Sequence, residues 1–192
     1  MKMHFFRLLA LTACAAMMGA APMEPAFPQA PVRVWGTVQG TERGGIHLTN
    51  SNPDDPYNDM VLHLSAETAV VDAVTGLPLS AAGILPGDTV YAWVGPAMTL
   101  SLPPQATAQV VVTNIPADFG APQYYEVLLA KQVEGGAAVT ATNGTAFTVP
   151  EGTALSPWRT RQIVTIQDIV PGSGLLVWRD DEDAVEKAVL FA

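Results

Sequence analysis

Residues 62–94 read LHLSAETAVVDAVTGLPLSAAGILPGDTVYAWV, and residues 147–179 read FTVPEGTALSPWRTRQIVTIQDIVPGSGLLVWR. A shift of 85 positions lays one on the other without a gap. Thr68 then meets Thr153, Ile84 meets Ile169, Pro86 meets Pro171, Gly87 meets Gly172 and Trp93 meets Trp178. Leu62 and Leu64 fall on Phe147 and Val149. Core residues and turn residues stay in phase together, which marks two copies of one supersecondary unit.

Around this repeat, short runs rich in Val, Ile, Thr and aromatics alternate with clusters of Gly, Pro, Asn and Asp, the pattern of strands and tight turns. No stretch keeps a helical period. Single turns near Ser80–Leu85 and Thr165–Val170 are the longest helical candidates. The first unit, 32–118, is expected to hold strands near Val32–Gln39, Ile46–Thr49, Met60–Ser65, Thr89–Val94 and Ala108–Asn114. The second, 119–192, matches with Tyr124–Lys131, Ala138–Thr142, Ala146–Val149, Gly174–Trp178 and Lys187–Phe191. A three-strand meander, a short crossing that ends in Pro-Gly, and two more strands is the order of an OB-like barrel. The expected fold is therefore all-β, two tandem five-stranded OB-like barrels, with a single β-sandwich as the alternative.

Period-two alternation holds on both strands of the first hairpin if Ile46 faces Leu64, Leu48 faces Leu62 and His47 faces His63. In the second unit Asn143-Gly144 supplies the hairpin turn. Val139 is then expected opposite Val149, and Ala141 opposite Phe147. The two units differ by a longer loop in the first, Asn50–Asp59, and by its insertion Gly95–Thr107.

The chain opens Met-Lys-Met-His-Phe-Phe-Arg, runs apolar from Leu8 to Met18 and turns small at Gly19-Ala20-Ala21. A basic start, a short apolar stretch and a small-residue end form an export signal, here residues 1–21. Pro22–Pro31 reads as a proline-rich tether. Leu11-Thr12-Ala13-Cys14 resembles a lipoprotein signal, which would make Cys14 a lipid anchor. Ordinary cleavage near Ala21 is the other route. Cys14 is the single cysteine, so no intramolecular disulfide is expected. Beyond residue 21 the chain keeps seven Lys and Arg against eighteen Asp and Glu, a net charge of −11. Such a surface disfavours nucleic acid and anionic lipid headgroups. The expected location is extracellular or envelope-associated, with membrane contact only through Cys14.

Four groups of residues are candidate sites. His47 and His63, with Asp59 as a third donor, could hold a divalent metal if they sit side by side on a solvent-facing strand pair. Their plainer reading is an exposed polar pair. The loop Asn50–Asp59 is rich in oxygen donors that calcium would need, and equally in residues that form Asx turns. Trp158-Arg159-Thr160-Arg161 sets an indole among guanidinium groups, the composition of a recognition hot spot for acidic or glycan partners. Met98, Leu100 and Leu102 form either a flap over the barrel junction or an exposed contact surface. Trp35, Trp93 and Trp178 read as core.

No Gly-x-Ser-x-Gly, P-loop, dinucleotide fingerprint or cysteine nucleophile occurs. Residues 87–105, GDTVYAWVGPAMTLSLPPQ, with Pro157–Arg161 and Leu175–Trp178, resemble uncharacterised secreted bacterial proteins with tandem OB-like β-barrel repeats. That resemblance implies an envelope role and no activity, cofactor or catalytic residue. Two function classes follow. One is a non-catalytic exported envelope module that binds a protein or glycan or acts as a spacer. The alternative is a metal-dependent hydrolase near His47 and His63, whose ligands would converge in a cleft between the units. Mass spectrometry of the protein recovered from its native envelope is expected to find residues 1–21 removed, or a lipid-modified Cys14 as the first residue. A chain that retains Met1–Ala21 would contradict export.

Overall fold

The structure, a computed structural model, describes residues 29–191 apart from 43, 118 and 160. The expected export signal, Cys14 and most of the expected proline-rich tether lie outside the described residues. Among the described residues no helix is long and apolar enough to cross a membrane. The chain is all-β, as its patterning predicts. Among the described residues its helical content is two 3-10 turns, Ala81–Gly83 and Ile166–Asp168, at the two places where single turns were expected.

The first sheet holds β1 Val32–Glu42, β2 Gly45–Thr49, β3 Asp59–His63, β4 Ala69–Asp72, β5 Thr89–Val94 and β6 Gln105–Thr113. Its order is β3-β2-β1-β5-β6-β4, and β3 also pairs with β6. That last pairing is parallel, from Val61↔Gln105 to His63↔Thr107. It closes β1, β2, β3, β6 and β5 into a five-stranded barrel. The second sheet holds β7 Gln123–Val133, β8 Gly136–Ala141, β9 Ala146–Pro150, β10 Ala154–Pro157, β11 Gly174–Arg179 and β12 Val185–Phe191. Its order, β10-β12-β11-β7-β8-β9, is the same, but β9 and β12 do not pair. The expectation of two closed barrels is met in the first unit and corrected to an open sheet in the second. Ten residues join β5 to β6, whereas only Asp180–Ala184 join β11 to β12, so β12 starts too late to reach β9.

Each unit also has a sixth strand that the sequence did not announce, β4 and β10. They stand 85 residues apart and pair in parallel with β6 and β12. The repeat extends to individual hydrogen bonds. Ser80 and Thr165 each cap a 3-10 turn, accepting from Ala82 N and Gln167 N. The Pro-Gly turns dock on β1 and β7 in the same way. Gly87 N donates to Val38 O and Gly172 N to Val127 O, both at 2.8 Å. Both glycines are left-handed, φ 95° and 90°, a conformation that other residues resist.

The hairpin registers depart from expectation by two residues. Ile46 faces Leu62 and Leu48 faces Met60, while Val139 faces Phe147 and Ala137 faces Val149. A slip of two keeps every side chain on its predicted face, so alternation could not detect it. His47 therefore faces Val61, and His63 faces Gly45.

Three apolar cores result. One fills the first barrel with Val34, Val38, Ile46, Leu48, Met60, Leu62 and Ile84 among others. One lies inside the second sheet around Val127, Val139, Val149, Ile169, Leu175 and Leu190. The third lies between the sheets and joins Val71, Ala73, Trp93, Val110 and Val112 of the first to Leu176, Trp178 and Val189 of the second. Neighbouring residues of β5, β6, β11 and β12 thus point into different cores, so these strands are buried on both faces. The two sheets stack through their outer surfaces, an element of the sandwich alternative inside the two-unit reading.

Polar bonds fix the stack. Trp178 Nε1 donates to Ala73 O at 2.6 Å, and Lys187 Nζ donates to Val74 O at 2.6 Å. The Lys187 ammonium also sits 4.1 Å over the Trp178 ring. Asp72 holds the accepting turn in shape, its Oδ1 receiving Val74 N, Thr75 N and Thr75 Oγ1. Trp178→Phe keeps an aromatic ring but leaves the Ala73 carbonyl without its partner. Its expected cost is about 1–3 kcal/mol, read by urea unfolding of the full chain. An unchanged midpoint would show that the bond does not contribute.

Candidate functional site

The candidate residues fall into three separate places. His47 and Asp59 come together on β2 and β3, with Nε2 and Oδ1 2.6 Å apart and both side chains about half exposed. His63 lies diagonal to His47 on the same face and bonds Gln105 Oε1 at 2.9 Å instead. The expected side-by-side histidine pair is thus replaced by two separate polar contacts, a consequence of the two-residue register slip. His47 borders a pocket of about 400 Å³ lined entirely from the first unit, by Gln39, Gly40, Gly45, Val61 and Pro103 among others. The hydrolase alternative placed its site between the units, and these residues are not there. Among the described residues no three His, Cys, Asp or Glu side chains are grouped to hold a metal ion. In the Asn50–Asp59 loop three side-chain oxygens are taken up by the loop's own backbone. Asn50 Oδ1 accepts from Asn52 N, Asn52 Oδ1 from Asp54 N and Asp55 Oδ1 from Tyr57 N. These are Asx turns.

The apolar insertion divides. Met98 packs on the core of the first barrel. Leu100 and Leu102 stand fully exposed at its tip. Thr99 closes the loop, its N donating to Gln105 O and its Oγ1 accepting from Gln105 N, both at 2.9 Å.

Trp158, Arg159 and Arg161 follow β10. Trp158 is half-buried and tilts on Phe191 with ring centroids 5.3 Å apart. Its backbone N donates to Leu190 O at 2.8 Å. Arg159 has φ 58°, uncommon for a residue with a side chain. That turn sends its guanidinium back over the Trp158 ring at 5.3 Å and across to Ala66 O of the first unit at 3.2 Å. Arg161 is exposed. Trp158 and Arg159 form one wall of a groove of about 520 Å³ at the seam of the two sheets. Glu67, Gln109, Tyr124, Glu126 and Phe191 complete its chemistry. A second groove of about 340 Å³ shares Tyr124 and Glu126 and is lined by Arg33, Trp93 and Asn143.

Glu126 and Tyr124 were not among the sequence candidates. Burial pushes the Glu126 carboxyl above the ordinary glutamate range, partly offset by a hydrogen bond from Gln109. Burial, and then the neighbouring Glu126 charge, push the Tyr124 phenol up to about 12. The usable signal is that Glu126 is the lone acid in the otherwise uncharged run Gln123–Ala130, directly after two tyrosines. The groove therefore offers an indole platform, a guanidinium, a tyrosine edge and a carboxyl whose proton is retained longer than usual. It can stack a ring or apolar face and exchange hydrogen bonds in both directions.

No known protein-family profile matches the chain, and no curated protein matches it. Among solved structures it is similar to a yobA protein from Bacillus subtilis subsp. subtilis str. 168. The two are 16% identical with a TM-score of 0.31, over 43% of this chain and 94% of that one.

Because Glu126 favours its protonated form in the fold, its contribution to stability is full below the ordinary value of 4.5 and is lost as pH rises through the raised one. Glu126→Gln is expected to raise the melting temperature at pH 7, with the gain closing below about pH 4.5. Equal gains at both pH values would rule out titration as the cause.

Proposed function

We propose that this chain is a non-catalytic exported module of the cell envelope, with both units OB-like, that binds a protein or glycan partner in the seam groove. The supporting observation is the Trp158–Arg159 platform. Its indole rests on Phe191, its guanidinium is anchored across the seam, and both line an accessible groove. A pre-set aromatic and arginine pair loses little freedom on binding and is the usual composition of an interface hot spot. An acidic surface of the whole chain favours partners that are neutral or basic.

One observation favours the metal-dependent hydrolase instead, the His47–Asp59 contact beside a pocket. It would recruit further ligands from substrate or water. Thermal melts with Zn²⁺, Cu²⁺ and Ca²⁺, in the natural chain and in His47→Ala, test that reading.

The mature chain used as bait on native envelope extract is expected to capture a partner. Trp158→Ala combined with Arg159→Ala should weaken capture by about thirtyfold or more, the effect of losing a hot spot. Capture unchanged by the double substitution would overturn the groove, and no capture at all would favour the spacer role.

A further inference from the structure

The open seam of the second sheet carries a separate inference, independent of the groove. In the first sheet Val61–His63 of β3 pair in parallel with Gln105–Thr107 of β6. The 85-residue shift carries Val61–His63 onto Ala146–Thr148 of β9. The ladders on the other side locate the absent partner. Tyr91 faces Val112 and Val94 faces Ala108 in the first sheet, where Leu176 faces Val189 and Arg179 faces Val185 in the second. Ala108 thus corresponds to Val185, and Gln105–Thr107 to Glu182–Ala184.

Those three residues are folded away. Asp180 Oδ1 accepts from Glu182 N at 3.0 Å and Ala184 N at 2.8 Å, and Asp180 N donates to Ala184 O. They have no extended backbone to offer β9. The outer edge of β9 is consequently a strand edge with no ladder among the described residues. Beside it Arg179 lies 5.1 Å over the Phe147 ring and bonds Asp183 O at 2.8 Å. β9 itself is Ala-Phe-Thr-Val-Pro, uncharged and without the lysines that commonly guard an edge.

We propose that β9 is a strand acceptor, to which an extended segment of a partner polypeptide adds in parallel along Ala146–Thr148. The occupant follows from the first sheet, where backbone of the sequence Gln-Ala-Thr fills the corresponding place. Main-chain hydrogen bonds supply the affinity in this mode, and side chains on alternate residues supply the choice of partner. Asp180, Asp181, Glu182 and Asp183 lie in the connection from β11 to β12, beside the Arg179 that covers Phe147 of β9. The partner strand is therefore uncharged with small or β-branched residues in its centre and Lys or Arg at its flanks.

The probe is a synthetic peptide of residues Gln105–Val110 with a lysine at each end, added to the full mature chain. Amide hydrogen exchange of Ala146–Thr148 by NMR is expected to slow saturably at about 1 mM peptide or below. The same peptide N-methylated at alternate residues should bind at least about tenfold more weakly, because pairing needs its N–H groups. No slowing at these amides, or equal slowing with the methylated peptide, overturns the proposal. Slowing that depends on protein concentration without peptide would show a second copy on the edge, and would overturn it equally.

Discussion

The indole N–H of Trp178 reaches the Ala73 carbonyl across a buried interface, and the relation between the two sheets is centred on that bond. It selects one turn of the first unit, Asp72–Gly76, as the seat for the second. Asp72 gives that turn its shape by accepting three hydrogen bonds within it and a fourth from Asn114. Burial alone would raise the Asp72 carboxyl, but these bonds outweigh it and hold the group below its ordinary range. Gly76 completes the seat. Its φ is 75°, and an added Cβ would lie 3.3 Å from the Trp178 ring. A side chain there would meet both strain and the indole.

Stacking the sheets in this way settles where chemistry collects. β5, β6, β11 and β12 pack on both faces, so most of their side chains are committed to cores. Polar groups persist at the margins of the stack, where β7, the turn after β10 and the segment before β4 converge. Glu126, Tyr124, Trp158, Arg159 and Glu67 are brought together there from distant parts of the chain. The burial that supports the junction also displaces the titration of Glu126 and Tyr124. Fold and candidate site thus share one cause.

Much of the architecture was legible because a repeat reports on itself. Ile84 and Ile169 are both buried, the capped 3-10 turns recur at the same spacing, and β5 and β11 keep it to the residue. The strands β4 and β10 escaped notice for physical reasons. Each has four residues, too few to show a period, and Pro157 argues against a strand except at an edge. The hairpin slip escaped because alternation sets which face a residue takes, not which residue it meets. The runs Val110–Val112 and Leu175–Trp178 did hold an unread signal. Consecutive apolar residues in a strand mean burial on both faces, and hence a second layer. The groove was half legible. Trp158 and Arg159 stood out as an aromatic among cations, whereas Glu126 acquires its character only from neighbours supplied by the fold.

The missing rung between β9 and β12 gives the two halves different ways to come apart. A cylinder laced all round by backbone bonds has no loose thread, so it must yield as a whole. A sheet with a bare margin can ravel from that margin, one bond at a time, while its interior still holds. In this molecule the tougher half comes first along the chain, and the half that can fray is clasped to it through the buried layer around Trp178 and the bonds that Trp178, Lys187 and Arg159 make across it.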